Sequence, residues 1–263
     1  MIRSIALLTD FGHQDVFVGV LKGVIHSINP WASIIDLCHE VPPQDTHSGA
    51  FDLNIAHSYF PKDTVFCAVV DPGVGSQRRA VALKTEHYFF VGPDNGLLYP
   101  AASQDGIQRA VNLTQEAFFL DTVSQTFHGR DIFAPVAAHL SLGREITSLG
   151  DELDLSDLVR FEFPEPHPLD DGQGTQLNVI HTDVYGNLTL NIKPSVFDTH
   201  AQGGFCLAAG AHTITQCHKA YDHAPENIPF VLEASSGYME IAVKNKSAAR
   251  TLGLSTGDSL VLA

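Results

Sequence analysis

The hexapeptide Val65-Phe66-Cys67-Ala68-Val69-Val70 is apolar at every position. A strand with one wetted face alternates polar and apolar residues, so a run without alternation has to be covered on both faces. It is also far too short for the ~20 residues that span a bilayer. Similar runs flank it. Residues 2–8 read as a buried strand, and Val16, Phe17, Val20, Val24, Ile25 and Ile28 then recur every three or four positions, a single apolar stripe on a helix. Residues 33–37, 63–70, 80–84 and 87–91 read as further strands, 48–59 as a second helix and 131–142 as the last long one. Strands of this kind alternating with helices predict an N-terminal three-layer α/β/α domain over residues 1–160.

The pattern changes at residues 161–174, where alternate prolines and a closing Gly172-Gln173-Gly174 predict an extended linker. Beyond it, 176–182, 188–192, 205–209, 230–233, 238–243 and 259–262 are short apolar stretches separated by Gly, Pro, Asn and Asp. They predict a smaller all-β, barrel-like domain over 175–263.

Composition narrows the function. With 263 residues, 44% hydrophobic and 17% charged, the chain has a globular rather than a disordered composition. Fifteen Lys and Arg against thirty Asp and Glu give a net charge of −15, which repels polyanions and argues against nucleic-acid or anionic-membrane partners. The first residues are too short and too early in charge for a secretion signal. Cys38, Cys67, Cys206 and Cys217 show no CxxC spacing, so reduced thiols in a cytoplasmic protein are expected.

No P-loop, GxSxG elbow or GxGxxG follows the first strand. Polar residues gather instead at the carboxyl ends of strands, where open α/β sheets bind ligands. Asp10 in Thr9-Asp10-Phe11-Gly12 is too far from the first helix to cap it and is placed to accept from a ribose diol, whereas Asp15 suits a helix cap. In Asp71-Pro72-Gly73-Val74-Gly75-Ser76-Gln77-Arg78-Arg79 the glycines let a carboxylate and a guanidinium fold toward each other. That pair either orients a water or forms a weak surface ion pair. One of Arg78 and Arg79 is expected to point inward. His128 is one of fourteen histidines and gains weight only from its loop-to-helix position. Asp183-Val184-Tyr185-Gly186-Asn187 and Ser235-Ser236-Gly237-Tyr238 read as polar turns before strands. Cys217, His218, Asp222 and His223 match no common metal spacing.

Together, Leu8-Thr9-Asp10-Phe11-Gly12, Val69-Val70-Asp71-Pro72-Gly73-Val74-Gly75, Gly92-Pro93-Asp94-Asn95-Gly96-Leu97-Leu98, Phe127-His128-Gly129-Arg130-Asp131, Asp183 to Asn187 and Ser235 to Tyr238 resemble the S-adenosylmethionine hydroxide adenosyltransferase family. These motifs cover essentially the whole chain. The resemblance implies splitting of S-adenosyl-L-methionine by water at ribose C5′ into adenosine and L-methionine. It implies a catalytic triad on Asp71, Arg78 and His128. It further implies ribose contact by Asp10 with Phe11 beside it, substrate contact by Asp183 and Asn187, and a methionine end facing Ser235, Ser236 and Tyr238. No metal or cofactor is implied, and members are homotrimers with sites between subunits. The related halogenating enzymes carry Tyr where Asp71 stands, Thr where Val74 stands, Trp where Gln44 stands, and a long insertion between Lys84 and His87. Two rival readings are a metal-dependent phosphoesterase with Asp10, His13, Asp15 and Asp71 as ligands, and a nucleoside or S-adenosylmethionine sensor without turnover.

Overall fold

The computed structural model describes residues 3–170, 172, 174–201 and 203–263. Ile2, Asp171 and Gln173, used above for the first strand and the linker, lie outside the described residues. The chain divides after Glu162 into two compact units.

The first unit runs β1 (Ile5–Thr9), α1 (Phe17–Ile28), β2 (Ile34–Cys38), α2 (Thr46–Ala56), β3 (Val65–Val69), β4 (Ala80–Thr85), β5 (Phe89–Pro93), α3 (Tyr99–Gln104), β6 (Ile107–Leu113), α4 (Ala134–Ser141) and β7 (Gly150–Leu153). Its sheet has the order β2-β1-β3-β5-β4-β6-β7. The first four strands are parallel, and β4, β6 and β7 join antiparallel. Unbroken apolarity has the expected consequence. Ile5 and Leu7 of β1 and Val65, Cys67 and Val69 of β3 pack with Leu21 and Ile25 of α1 and Val136 and Leu140 of α4. The intervening Ala6, Leu8, Phe66 and Ala68 pack with Leu53 of α2 and Ala101 of α3 on the other face. Phe66 and Phe90 stack at 5.1 Å, and burying each stabilises by about 1.5–3 kcal/mol.

Because β2 and β3 flank β1 on opposite sides, the chain reverses its winding at β1 and β3, and Asp10 and Asp71 follow these two strands. That is the topological switch point, where parallel sheets leave a crevice at the carboxyl edge. Asp15 does not cap α1: the capping position is Val16, with no side-chain bond to the helix end. The last helix is not uniform either. Gly129–Phe133 form a π-helical turn that runs into α4, with Pro135 in its first turn. Such turns cluster at functional sites.

The second unit comprises β8 (His167–Pro168), β9 (Thr175–Thr182), β10 (Leu188–Leu190), α5 (Pro194–His200), β11 (Leu207–Ala209), β12 (His212–Ile214), β13 (Pro229–Glu233), β14 (Met239–Val243), α6 (Ala248–Leu252) and β15 (Ser259–Leu262). Its antiparallel sheet follows β12-β11-β15-β9-β10-β14-β13, with β8 paired to β9, and is nearly closed and barrel-like. Leu177, Val179, Leu190, Ile241 and Leu260 fill its interior. His167 and Pro168, within the stretch expected as linker, pair with Gln176 and Thr175. All four cysteines are free thiols, and burial pushes Cys67 up to about 12. Among the described residues no helix is long and apolar enough to cross a membrane.

Candidate active site

Asp71 leaves the end of β3 and the chain turns back on itself through Gly73 and Gly75. Gly75 has φ +78°, and a Cβ there would approach the Gln125 carbonyl oxygen at 2.5 Å, so this position needs glycine. The turn returns Arg78 to Asp71. Its Nε donates to both carboxylate oxygens at 3.0 Å, and Nη2 donates to Oδ2 at 2.5 Å. The same Nη2 lies 2.7 Å from His128 Nδ1, and the guanidinium sits over the Phe133 ring. The pair is largely buried, with side chains 10% and 6% exposed, which separates it from a weak surface ion pair. Arg79 points elsewhere and binds Asp94.

Burial and the Arg78 charge push the His128 imidazole below its usual range, opposed by Asp71, Asp131 and a bond to the Ser124 backbone. A guanidinium has donors only. Nδ1 is therefore the acceptor of the 2.7 Å contact, and the proton of the neutral ring resides on Nε2.

Asp10 follows β1, and its Oδ2 accepts from the Gln44 backbone N–H at 2.8 Å. Gln44 has φ +65°, a costly conformation for a residue with a Cβ and one found at ligand-binding turns. Phe11 packs edge-on against Phe17 and Phe127, and a Cβ on Gly129 would meet its ring. Phe11 thus fixes the approach to the π-helical turn behind His128.

In the second unit a cavity of about 1120 Å³ is lined by Asp183, Asn187 and Ser235, together with Tyr221, Glu240 and Lys244. Asp183 Oδ1 accepts from the Tyr185 and Asn187 backbone at 2.9 and 2.8 Å, and Oδ2 from Asn187 Nδ2 at 2.9 Å. Ser236 and Tyr238 do not line the cavity. The Ser236 hydroxyl is buried without a hydrogen-bond partner, and Lys193 Nζ stands 3.3 Å above the Tyr238 ring.

Further residues brace these turns, of which His39 and Asp36 carried no sequence signal. Thr9 Oγ1 meets buried His39 Nδ1 at 2.8 Å, and His39 Nε2 meets Asp36 at 3.1 Å. The His39 carbonyl also holds Gly12, which fixes the turn carrying Asp10. Asn95 Nδ2 binds the Val70 carbonyl just before Asp71. Among the described residues no group of three His, Cys, Asp or Glu is placed to hold a metal, so Asp10, His13, Asp15 and Asp71 do not form such a set.

Family models for the SAM hydroxide adenosyltransferase N-terminal and C-terminal domains match residues 5–150 and 177–261. The chain is 40% identical over 97% of its length, and 96% of the relative's, to a protein of Salinispora tropica named (R)-S-adenosyl-L-methionine hydrolase. It is 36% identical to one of that name from Thermus thermophilus, covering 97% of each. A fluorinase of Nocardia brasiliensis is 29% identical over 72% of this chain and 70% of its own. The crystal structure of an uncharacterized conserved protein from Thermotoga maritima superposes with a TM-score of 0.90 at 34% identity, covering 98% of this chain and all of the other.

Proposed function

The chain belongs to the SAM hydroxide adenosyltransferase family, and on that premise we propose that it hydrolyses S-adenosyl-L-methionine to adenosine and L-methionine, with Asp71, Arg78 and His128 handling the water. The enzyme class follows from the full-length similarity to proteins named S-adenosyl-L-methionine hydrolase. The observation that supports the residue roles is the single guanidinium joining a buried carboxylate to an imidazole.

The leaving group is a sulfonium that departs as a neutral thioether, so the reaction needs no general acid. It needs an oxygen nucleophile in line with the C5′ to sulfur bond. In this reading water oxygen bonds to C5′, the C5′ to sulfur pair stays on sulfur, and the water proton passes to Asp71. His128 accepts from Arg78 and positions it, while the Arg78 charge favours hydroxide character in the attacking water. Asp10 accepts from the ribose diol, and Phe11 shields that turn. Asp183, Asn187 and Ser235 hold the substrate from the second unit, with Ser236 and Tyr238 supporting the turn on which Ser235 stands.

The same reading takes the protein to be a cytoplasmic homotrimer with no cofactor, in which the first unit of one copy and the second unit of a neighbour share a substrate. Its support is that the water-handling residues and the cavity belong to different units. Sedimentation of the full chain at a trimer mass supports it; a monomer that retains full turnover refutes it. Incubation with S-adenosyl-L-methionine and chromatography tests the reaction. Adenosine and methionine in equal amounts are expected, and intact ligand after prolonged incubation would make the protein a sensor.

A further inference from the structure

The motif Gly92 to Leu98 runs through the end of β5 and has no part in the chemistry above. β5 lies between β3 and β4, parallel to the first and antiparallel to the second. The chain leaves β3 after Val69 and enters β4 at Ala80. Residues 70–79 therefore cross over the carboxyl end of β5, and Asp71 and Arg78 stand near the two ends of that crossing.

Asp94 and Asn95, the first residues past β5, hold both ends. Asn95 Nδ2 donates to the Val70 carbonyl at 2.9 Å, immediately before Asp71. The printed pairing of β3 with β5 stops at Cys67 and Val91, so this amide carries the tie between them further along. At the other end the Asp94 N–H donates to the Arg79 carbonyl at 3.0 Å, immediately after Arg78. The Asp94 carboxylate also grips the Arg79 side chain, with Nε at 2.8 Å and Nη2 at 2.7 Å from Oδ2, while Oδ1 accepts from the Val159 N–H at 2.9 Å. Its side chain is 3% exposed, and a buried carboxylate with these partners is costly to pull away. Asn95 is set in turn by the Leu97 N–H, which donates to its Oδ1 at 3.2 Å.

The bonds within the crossing are of another kind. Val74 N–H donates to Asp71, Ser76 N–H to Gly73 and Arg78 N–H to Ser76 Oγ, at 3.0 to 3.2 Å. They shape the turn but do not seat it over β5. We propose that Asp94 and Asn95 are positioning residues for the hydrolysis: they clamp both ends of residues 70–79 and so seat Arg78 against Asp71 and His128. This rests on the reading of those three as the water-handling set. The ribose contact at Asp10 stands on a different loop, so a loosened clamp lowers turnover and spares affinity.

The test uses the full-length protein. Asn95→Asp keeps the acceptor for Leu97 and loses the donor to Val70. Asp94→Asn keeps the backbone bond and sets an amide against Arg79, whereas Arg79→Lys keeps a cation for Asp94. Single-turnover release of adenosine is read beside calorimetric affinity for adenosine and hydrogen exchange by mass spectrometry. Asn95→Asp and Asp94→Asn are expected to slow release by about 10- to 100-fold, the scale of a misplaced catalytic group. Adenosine affinity stays within about twofold, exchange quickens over residues 70–79 alone, and Arg79→Lys stays within about threefold of wild type. In an Arg78→Ala background the two clamp variants cost no more than about twofold further, because the group they position is gone.

Release within about threefold of wild type in both clamp variants would overturn the proposal. So would the full penalty persisting without Arg78, which marks a general loss of structure, or unchanged exchange over 70–79. If Asp94→Asn does not fold, Asn95→Asp at its half-buried position carries the test. Wild type that binds S-adenosyl-L-methionine but leaves it intact would instead overturn the hydrolase reading, while hydrogen exchange still judges the clamp.

Discussion

Arg78→Lys keeps the positive charge and removes the fork. Arg78 spans a carboxylate and an imidazole with one planar group, through three contacts to Asp71 and one to His128. A lysine ammonium is a single point at the end of a flexible stem and cannot reach both partners in the same geometry. If it stays with Asp71, His128 Nδ1 loses its donor; if it moves to His128, a carboxylate only 6% exposed loses most of its partners. Either way at least one charge-assisted hydrogen bond is lost, worth about 1.5–3 kcal/mol. Spent at the transition state, that lowers kcat by about 10- to 150-fold. The assay is steady-state release of adenosine, with circular dichroism to show that the variant is folded. A folded Arg78→Lys enzyme within about threefold of wild-type kcat would mean that charge alone suffices and that the bridging geometry is irrelevant.

Gly75→Ala should destabilise the fold by about 1–3 kcal/mol, seen as a lower Tm, because it forces a Cβ into φ +78° and against the Gln125 carbonyl; an unchanged Tm would show that the turn can shift freely. Burial pushes Asp52 up to about 6 from 3.8, so its neutral form is favoured in the fold and its contribution is lost as pH rises from about 4 to about 6. Asp52→Asn should therefore raise stability by about 1–2 kcal/mol at pH 7 and by nothing near pH 4, and denaturant titrations showing the same change at both values would contradict this. The His128 pKa is lowered by burial and Arg78, so the neutral ring persists as pH falls below the usual ~6.5 of histidine. The acid limb of the kcat profile should lie below that value, and a limb at or above it would show the ring to be charged when it acts.

Unbroken apolarity at 65–70 was enough to place the central parallel strands, because it has one packing solution; the stripe on α1 was only partly right, since Val16 and Phe17 are exposed and the buried face is Val18, Leu21 and Ile25. The antiparallel part was less legible. β6 contains Gln108, Arg109 and Asn112 among its apolar residues, β7 is Gly-Asp-Glu-Leu, and α3 has six residues opening on Tyr99-Pro100. None has the length or period to announce itself. The strand-end positions of Asp10 and Asp71 could be read from sequence, and the turn chemistry of Gly73 and Gly75 allowed Arg78 to return. The 50-residue separation of Arg78 and His128 could not be bridged by local rules, because their contact depends on the winding of β1, β3 and the π-helical turn. Only the family resemblance linked them. His39 was silent for a related reason: it works through Thr9 on β1 and Asp36 on β2, and no spacing records that.

The central claim is that water attacks C5′ directly at the site built on Asp71, Arg78 and His128. Hydrolysis of S-adenosyl-L-methionine in oxygen-18 water, followed by mass spectrometry of both products, tests it most directly. One labelled oxygen in the 5′-hydroxyl of adenosine and unlabelled methionine are expected. Unlabelled adenosine, or adenine or S-adenosylhomocysteine as the main product, would contradict it.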